Sequence, residues 1–129
     1  MLLLRRSSGA FAGAWTFVMG GVEEGERGTE AARRELAEET GLSATTLYTA
    51  GELDAFYDPV RDRIVHVPFF VAFAAPGDVA LEDGVHDEHR WVGFADAEQR
   101  LEFASHRRVL DEVRRAFVDR APASWRIVR

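Results

Sequence analysis

The chain opens on an unbroken apolar run, Met1 to Leu4, closed by Arg5 and Arg6. A run this short predicts a buried strand. A polar, glycine-bearing loop follows (SSGAFAG, 7–13). The segment AWTFVMGG (14–21) then predicts a strand that ends in glycines. Residues 22–28 form a loop on this pattern. From Thr29 to Thr40 the sequence turns to alanine, arginine, leucine and glutamate, all strong helix formers, and Gly41 suits the left-handed position that closes a helix. Further strands are predicted over 46–57, over the apolar run IVHVPFFVAFA (64–74) and at HRWVGF (89–94). Asp58-Pro59-Val60-Arg61-Asp62 predicts a turn, and VALEDGVHDE (79–88) an acidic loop. The last third is helical, with Ser105 as the expected N-cap. Val109, Leu110, Val113 and Phe117 form a stripe that docks on the core. Strands and helices interleave around one core, which predicts an α/β or α+β sandwich.

Length and composition narrow this picture. The 129 residues suit one domain, 1–129, and 47% apolar with 29% charged residues is ordinary for a packed globular core. With no cysteine, neither a disulfide framework nor a thiolate metal site is available. A net charge of −6 weighs against a nucleic-acid partner, because neutralising phosphates needs a basic surface. MLLLRR is too short for a signal peptide and no run reaches membrane-spanning length, so no membrane partner is expected and the expected compartment is cytoplasmic.

The segment 20–42 changes the picture most, because it holds seven glutamates and no aspartate. At about 100° per residue, Glu35, Glu38 and Glu39 share one side of the helix. Gly28 and Ala31 project to the same side and predict open space beside the carboxylates, while Ala32 and Leu36 pack inward. The three acids stand in the C-terminal half of the helix, where the macrodipole disfavours negative charge, and they repel one another at i,i+3 and i,i+4. Two readings are open. One is a solvated face paired with Arg33 and Arg34. The other is a divalent cation that turns repulsion into coordination. An oxygen-only donor set suits a hard ion, Mg2+ or Mn2+, and the implied chemistry is attack by water on phosphorus.

Gly20, Glu26 and the run Arg34-Glu35-Leu36-Ala37-Glu38-Glu39-Thr40-Gly41-Leu42 fill every fixed position of the pattern G-x5-E-x7-R-E-U-x-E-E-x-G-U, where U is aliphatic. The chain therefore resembles the Nudix family. That resemblance implies a Nudix-type α/β/α sandwich with a mixed central sheet and a hydrolase that cleaves nucleoside diphosphates linked to another group. It implies Glu35, Glu38 and Glu39 as metal ligands, one of them also helping to activate the water, with the Gly20 carbonyl as a further ligand. Glu26 and Arg34 would orient those ligands as an ion pair. In DEHRW (87–91), Glu88 resembles the family's further ligand or general base, with a solvated loop residue as the alternative. Trp15 is either the wall of a base pocket or a core residue.

Val18 and Met19 stand where the family often has proline and glycine. Together with Glu88-His89 and the step Phe103-Ala104-Ser105-His106-Arg107, this resembles the dihydroneopterin triphosphate and dATP pyrophosphohydrolase branch. The products would then be a monophosphate and pyrophosphate. Alternatives are a broader (d)NTP pyrophosphatase, a diadenosine polyphosphate or ADP-sugar hydrolase, or a Nudix module that binds a nucleotide-like small molecule without hydrolysis. Nudix domains usually carry a strand ahead of LLLRR, and this chain starts inside that strand. An uncovered strand edge there predicts a homodimer, unless the natural start lies upstream or the domain dispenses with the strand.

Overall fold

The computed structural model describes residues 1–129. Strand β1 (Leu2–Arg6) is central in a three-stranded antiparallel sheet of order β2-β1-β5, between β2 (Trp15–Thr16) and β5 (His86–Trp91). A second antiparallel sheet, of order β4-β3-β6, joins β3 (Ala44–Asp58), β4 (Arg63–Ala74) and β6 (Ile127–Val128). The parallel contribution is a single bridge between Trp15 and Leu101. Helix α1 spans Gly28–Thr40, α2 Phe94–Arg100 and α3 Ala104–Val113, which runs on into a π turn at Arg114–Val118.

Strand alternation builds the layers, since successive side chains point to opposite faces. Pro68 and Phe70 of β4 meet α1 at Gly28, each about 3.9 Å from where a Gly28 Cβ would stand. Phe69, between them, points the other way and lies edge-on to His106 of α3, 5.6 Å between centroids. Helices therefore cover both faces of this ribbon, which gives the expected α/β/α sandwich. On the first sheet, Leu3 is fully buried with Ala97, Leu101 and Leu110 from the α2–α3 side.

Several expectations are corrected. β1 is paired along its length by β5 but by β2 only at Leu4 and Arg5, so the edge on which the homodimer expectation rests is covered in part. The strand expected over 14–21 is only Trp15–Thr16. The strand expected at 89–94 is shifted to 86–91, because Phe94 starts α2. Ser105 does not cap α3. The N-cap position is Phe103, and no side chain caps it. Gly28 and Ala31 do not open onto free space either. Ala31 is buried and Gly28 lies against β4, so this side of the helix's first turn faces the protein.

Candidate metal and hydrolytic site

Helix α1 carries the candidate site, and both of its ends are held. Arg27 is the N-cap residue, and its backbone N–H donates to Glu30 (2.8 Å), which closes the first turn. At the other end Gly41 takes φ 70° and its N–H returns to the Ala37 carbonyl, a left-handed cap. Thr40 is buried beneath the last turn and its carbonyl accepts the Ala80 N–H at 2.9 Å.

Arg34 is the hub of the glutamate cluster. Its guanidinium donates to Glu26 through Nε (2.9 Å) and Nη2 (3.0 Å), to Glu35 (2.7 Å) and Glu38 (2.9 Å) through Nη1, and to the Gly21 carbonyl (2.8 Å). The hydrogen bond to Glu26, followed by that to Glu35, raises the Arg34 pKa further above its already high value. Glu26 also accepts the Glu23 N–H (2.9 Å). Its carboxyl is held below the ordinary range, first by Arg34 and then by that backbone donor.

Glu39 stands apart from this network. It is 3% exposed, and its Oε2 accepts the Met19 N–H at 3.1 Å. Burial pushes its pKa up to about 7, against the opposing pull of the Met19 hydrogen bond, and the charge of Glu35 adds to the rise. Arg6 is a nearby positive charge for Glu39, and its own Nε is buried without a partner. Gly20 lies against the Glu35 carboxylate so closely that a Cβ there would overlap it and push the carboxylate from its present position.

Gly20, Glu26, Arg34, Glu35, Glu38 and Glu39 are thus brought together around one helix. The three carboxylates do not converge on one point, and no group of three or more His, Asp and Glu side chains is arranged to hold a metal. Arg34 draws Glu35 and Glu38 to itself, while Glu39 turns inward to Met19. The donor chemistry nonetheless fits a hard divalent ion. All the donors are oxygen, and Glu39 is a desolvated carboxyl beside a second acid.

Trp15 and Glu88 lie elsewhere. Arg5 pairs in register with both, so all three share the α2–α3 face of β1. Glu88 bridges Arg5 (2.9 Å) and Arg90 (2.7 Å). The Trp15 ring is flanked by Arg5, Arg90 and Arg100 at 5.6 to 6.0 Å from its centroid. The sequence left two site residues unseen. Met19 acts through its backbone, which leaves no side-chain signature. Glu30 stands three residues after the helix start, a capping-box position, but Arg27 is not a usual N-cap residue and masked it.

The NUDIX domain model matches residues 1–113. The chain is 34% identical over 109 residues to "Putative mutator protein MutT4" of Mycobacterium tuberculosis, covering 82% of this chain and 43% of that protein. The chain thus spans under half the length of this relative. It is 32% identical over 116 residues to the asymmetrical bis(5'-nucleosyl)-tetraphosphatase of Rattus norvegicus, covering 86% of this chain and 76% of the rat protein. Among solved structures, a MutT protein from Methanosarcina mazei superposes with a TM-score of 0.74 at 30% identity, over 88% of this chain and 82% of that one. The E. coli dihydroneopterin triphosphate pyrophosphohydrolase superposes at 0.66 and 23% identity, over 86% and 82%, and shares the fold. No helix is long and apolar enough to cross a membrane.

Proposed function

The chain belongs to the NUDIX domain family, and from that premise we propose that it is a divalent-metal-dependent hydrolase of nucleoside or pterin triphosphates, with a monophosphate and pyrophosphate as products. The observation that carries the reading is the Arg34-centred cluster, in which Glu26, Glu35 and Glu38 meet one guanidinium while Glu39 waits beside them, buried and protonatable. Glu35, Glu38, Glu39 and the Gly20 carbonyl are the groups that would hold Mg2+ or Mn2+. Such an ion would offset phosphate charge and acidify an attacking water. Arg34 fixes the positions of Glu35 and Glu38 through paired hydrogen bonds, and Glu26 fixes Arg34. Glu88, engaged by Arg5 and Arg90 on the other side of β1, is left out of this assignment.

A second reading is a dinucleoside polyphosphate hydrolase. The rat tetraphosphatase supports it, because the likeness covers most of both chains. The test is a panel with Mg2+ of dihydroneopterin triphosphate, all (d)NTPs, ADP-ribose and diadenosine polyphosphates, with product analysis. The expected result is a monophosphate and pyrophosphate from one triphosphate class, abolished by chelation. Glu38→Gln should lower kcat by about 10²-fold or more. Unchanged turnover in Glu38→Gln would sink the mechanism, and preference for the diadenosine substrates would replace the first reading by the second.

A further inference from the structure

Strand β4 is the outermost strand of its sheet, so one side of its backbone has no partner. Along Arg63–Ala74 the only charged side chain is Arg63, at the very start. Long apolar edges are usually blunted by charge, proline or a bulge, and beyond Arg63 the one such device in β4 is Pro68. The β3–β4 ribbon is also uncovered toward its turn. No residue from Leu53 to Val67 is buried, and Leu53, Phe56, Tyr57, Val60 and Ile64 are each at least half exposed. A two-stranded ribbon is marginally stable on its own in water, so an apolar arm open on both faces calls for a cover. Of the 8022 Å² that the chain exposes, this arm offers on the order of 800 Å², the share one partner contributes to a standard interface.

Which backbone groups point outward follows from alternation along the strand. The Ala75 N–H donates to the Ser43 carbonyl (3.2 Å), and the Phe73 carbonyl accepts the Thr45 hydroxyl (2.7 Å), so the odd-numbered residues turn toward β3. The backbone groups of Ile64, His66 and Pro68 then turn to the free edge. Proline suits such a place, because the N–H it lacks would face solvent. The usable stretch is bounded by Asp62, at φ 48° in the turn, and by Pro68. Within it a second copy running antiparallel finds one full register, centred on Val65. Ile64 of one copy then exchanges both backbone hydrogen bonds with His66 of the other, and twofold symmetry repeats the pair. A centre at Ile64 would set His66 against Asp62 of the turn. A centre at His66 would set Ile64 against Pro68, which has no N–H to give. With the centre at Val65, Arg63 faces Val67 and no like charges meet.

We propose that the β3–β4 arm is a self-association surface: two copies pair antiparallel along residues 63–67 of β4, about a twofold axis at Val65, and join their three-stranded sheets into one of six strands. The arm contains none of the glutamate-cluster residues, so this inference stands apart from the hydrolase reading.

The test is mass in solution, followed by a covalent trap. By sedimentation the parent chain should be mainly dimeric at about 100 µM, within the range that interfaces of this size reach. His66→Pro removes an outward N–H without touching the β3–β4 ladder, and it should weaken dimerisation about tenfold or more. Ile64→Lys, at an exposed edge position, should do the same, and it serves should His66→Pro fail to fold. The chain has no cysteine, so a single introduced one reports its own neighbour. Facing residues of a non-hydrogen-bonded antiparallel pair lie about 4.5 Å apart at Cα, within disulfide reach. Val65→Cys should therefore oxidise to a covalent dimer about tenfold or more faster than Ile64→Cys. A parent chain that stays monomeric at that concentration would overturn the proposal and leave the arm to a different partner. So would a dimer indifferent to both edge variants, or one trapped through Ile64→Cys in preference to Val65→Cys.

Discussion

Glu39 is 3% exposed, whereas the Glu38 side chain, from the preceding residue, is 53% exposed and bound to Arg34. Neighbours on one helix thus occupy opposite environments, because each step turns by about 100°. Glu35 lies between them in character, packed on Gly20 and donated to by the same Arg34 nitrogen as Glu38. The arginine is the counter-charge for the cluster, and its planar fork reaches Glu26, Glu35, Glu38 and the Gly21 carbonyl at once. Lysine cannot reproduce that fork. Arg34→Lys is expected to lower kcat/KM by about 10–100-fold, the usual effect of losing a group that orients ligands. Steady-state kinetics would check this, and unchanged kinetics would mean that Glu35 and Glu38 hold their places without it.

Among the elements, the C-terminal end of α1 was readable because a glycine cap is a local feature, whereas its N-cap, Arg27, was not. Gly41 at φ 70° is where the alternation of helix formers and glycine put it. The turn at 58–62 was readable for the same reason. Asp58 Oδ1 accepts the Val60 and Arg61 N–H groups at 3.0 and 3.3 Å, and β3 and β4 pair on either side. The C-terminal strap was not readable. Arg126 is 7% exposed, donates to the Ala50 carbonyl and to Glu112 (2.8 Å), and lies 4.8 Å from the Trp125 centroid. Nothing near Arg126 in sequence marks it as buried, since its partners lie 76 and 14 residues away. Arg126→Met should destabilise the protein by about 2 kcal/mol, because Glu112 and the Ala50 carbonyl are left unpaired. That corresponds to a fall in Tm of roughly 6–10 °C, measurable by thermal unfolding.

In the whole molecule, two buried groups act against each other as pH changes. Glu39 has a native pKa of about 7 against 4.5 for an ordinary carboxyl. Between these values the native state binds more protons than the unfolded one, so stability falls as pH rises. His106, at about 4 against 6.5, binds fewer protons when native, so stability rises with pH over that window. His86, lowered chiefly by burial, works in the same sense as His106. Each of the two large shifts corresponds to roughly 3 kcal/mol. Glu39 and His106 therefore offset each other, and the metal-free protein should show only a shallow rise in unfolding free energy between about pH 4.5 and 6.5, in the direction set by His86. Glu39→Gln removes one side of the balance and should make the protein progressively less stable on acidification. His106→Phe removes the other and should make it more stable there. Denaturant unfolding at several pH values checks both signs, and a steep slope in the parent would show that the two do not balance.

The sequence by itself determined the helix that bears the glutamates, its glycine cap, the β3–β4 turn and the identity of the acidic and basic groups. These depend on residue type and short spacing, which are local properties. It could not show that β1 is paired on both sides, or that the Gly28–Ala31 side of α1 faces a sheet. Nor could it show that Trp15 and Glu88 look away from the box glutamates. Those follow from contacts between separate segments, Leu4 with His89 and Thr16, and Gly28 with Pro68 and Phe70, and in a strand pair a shift of one residue reverses every side chain. The split of Glu35, Glu38 and Glu39 into an ion-paired set and a buried acid is likewise tertiary. Arg34 is a local partner on the same helix, one and four residues from Glu35 and Glu38, but Met19 and Gly20 are brought to Glu39 and Glu35 by the fold.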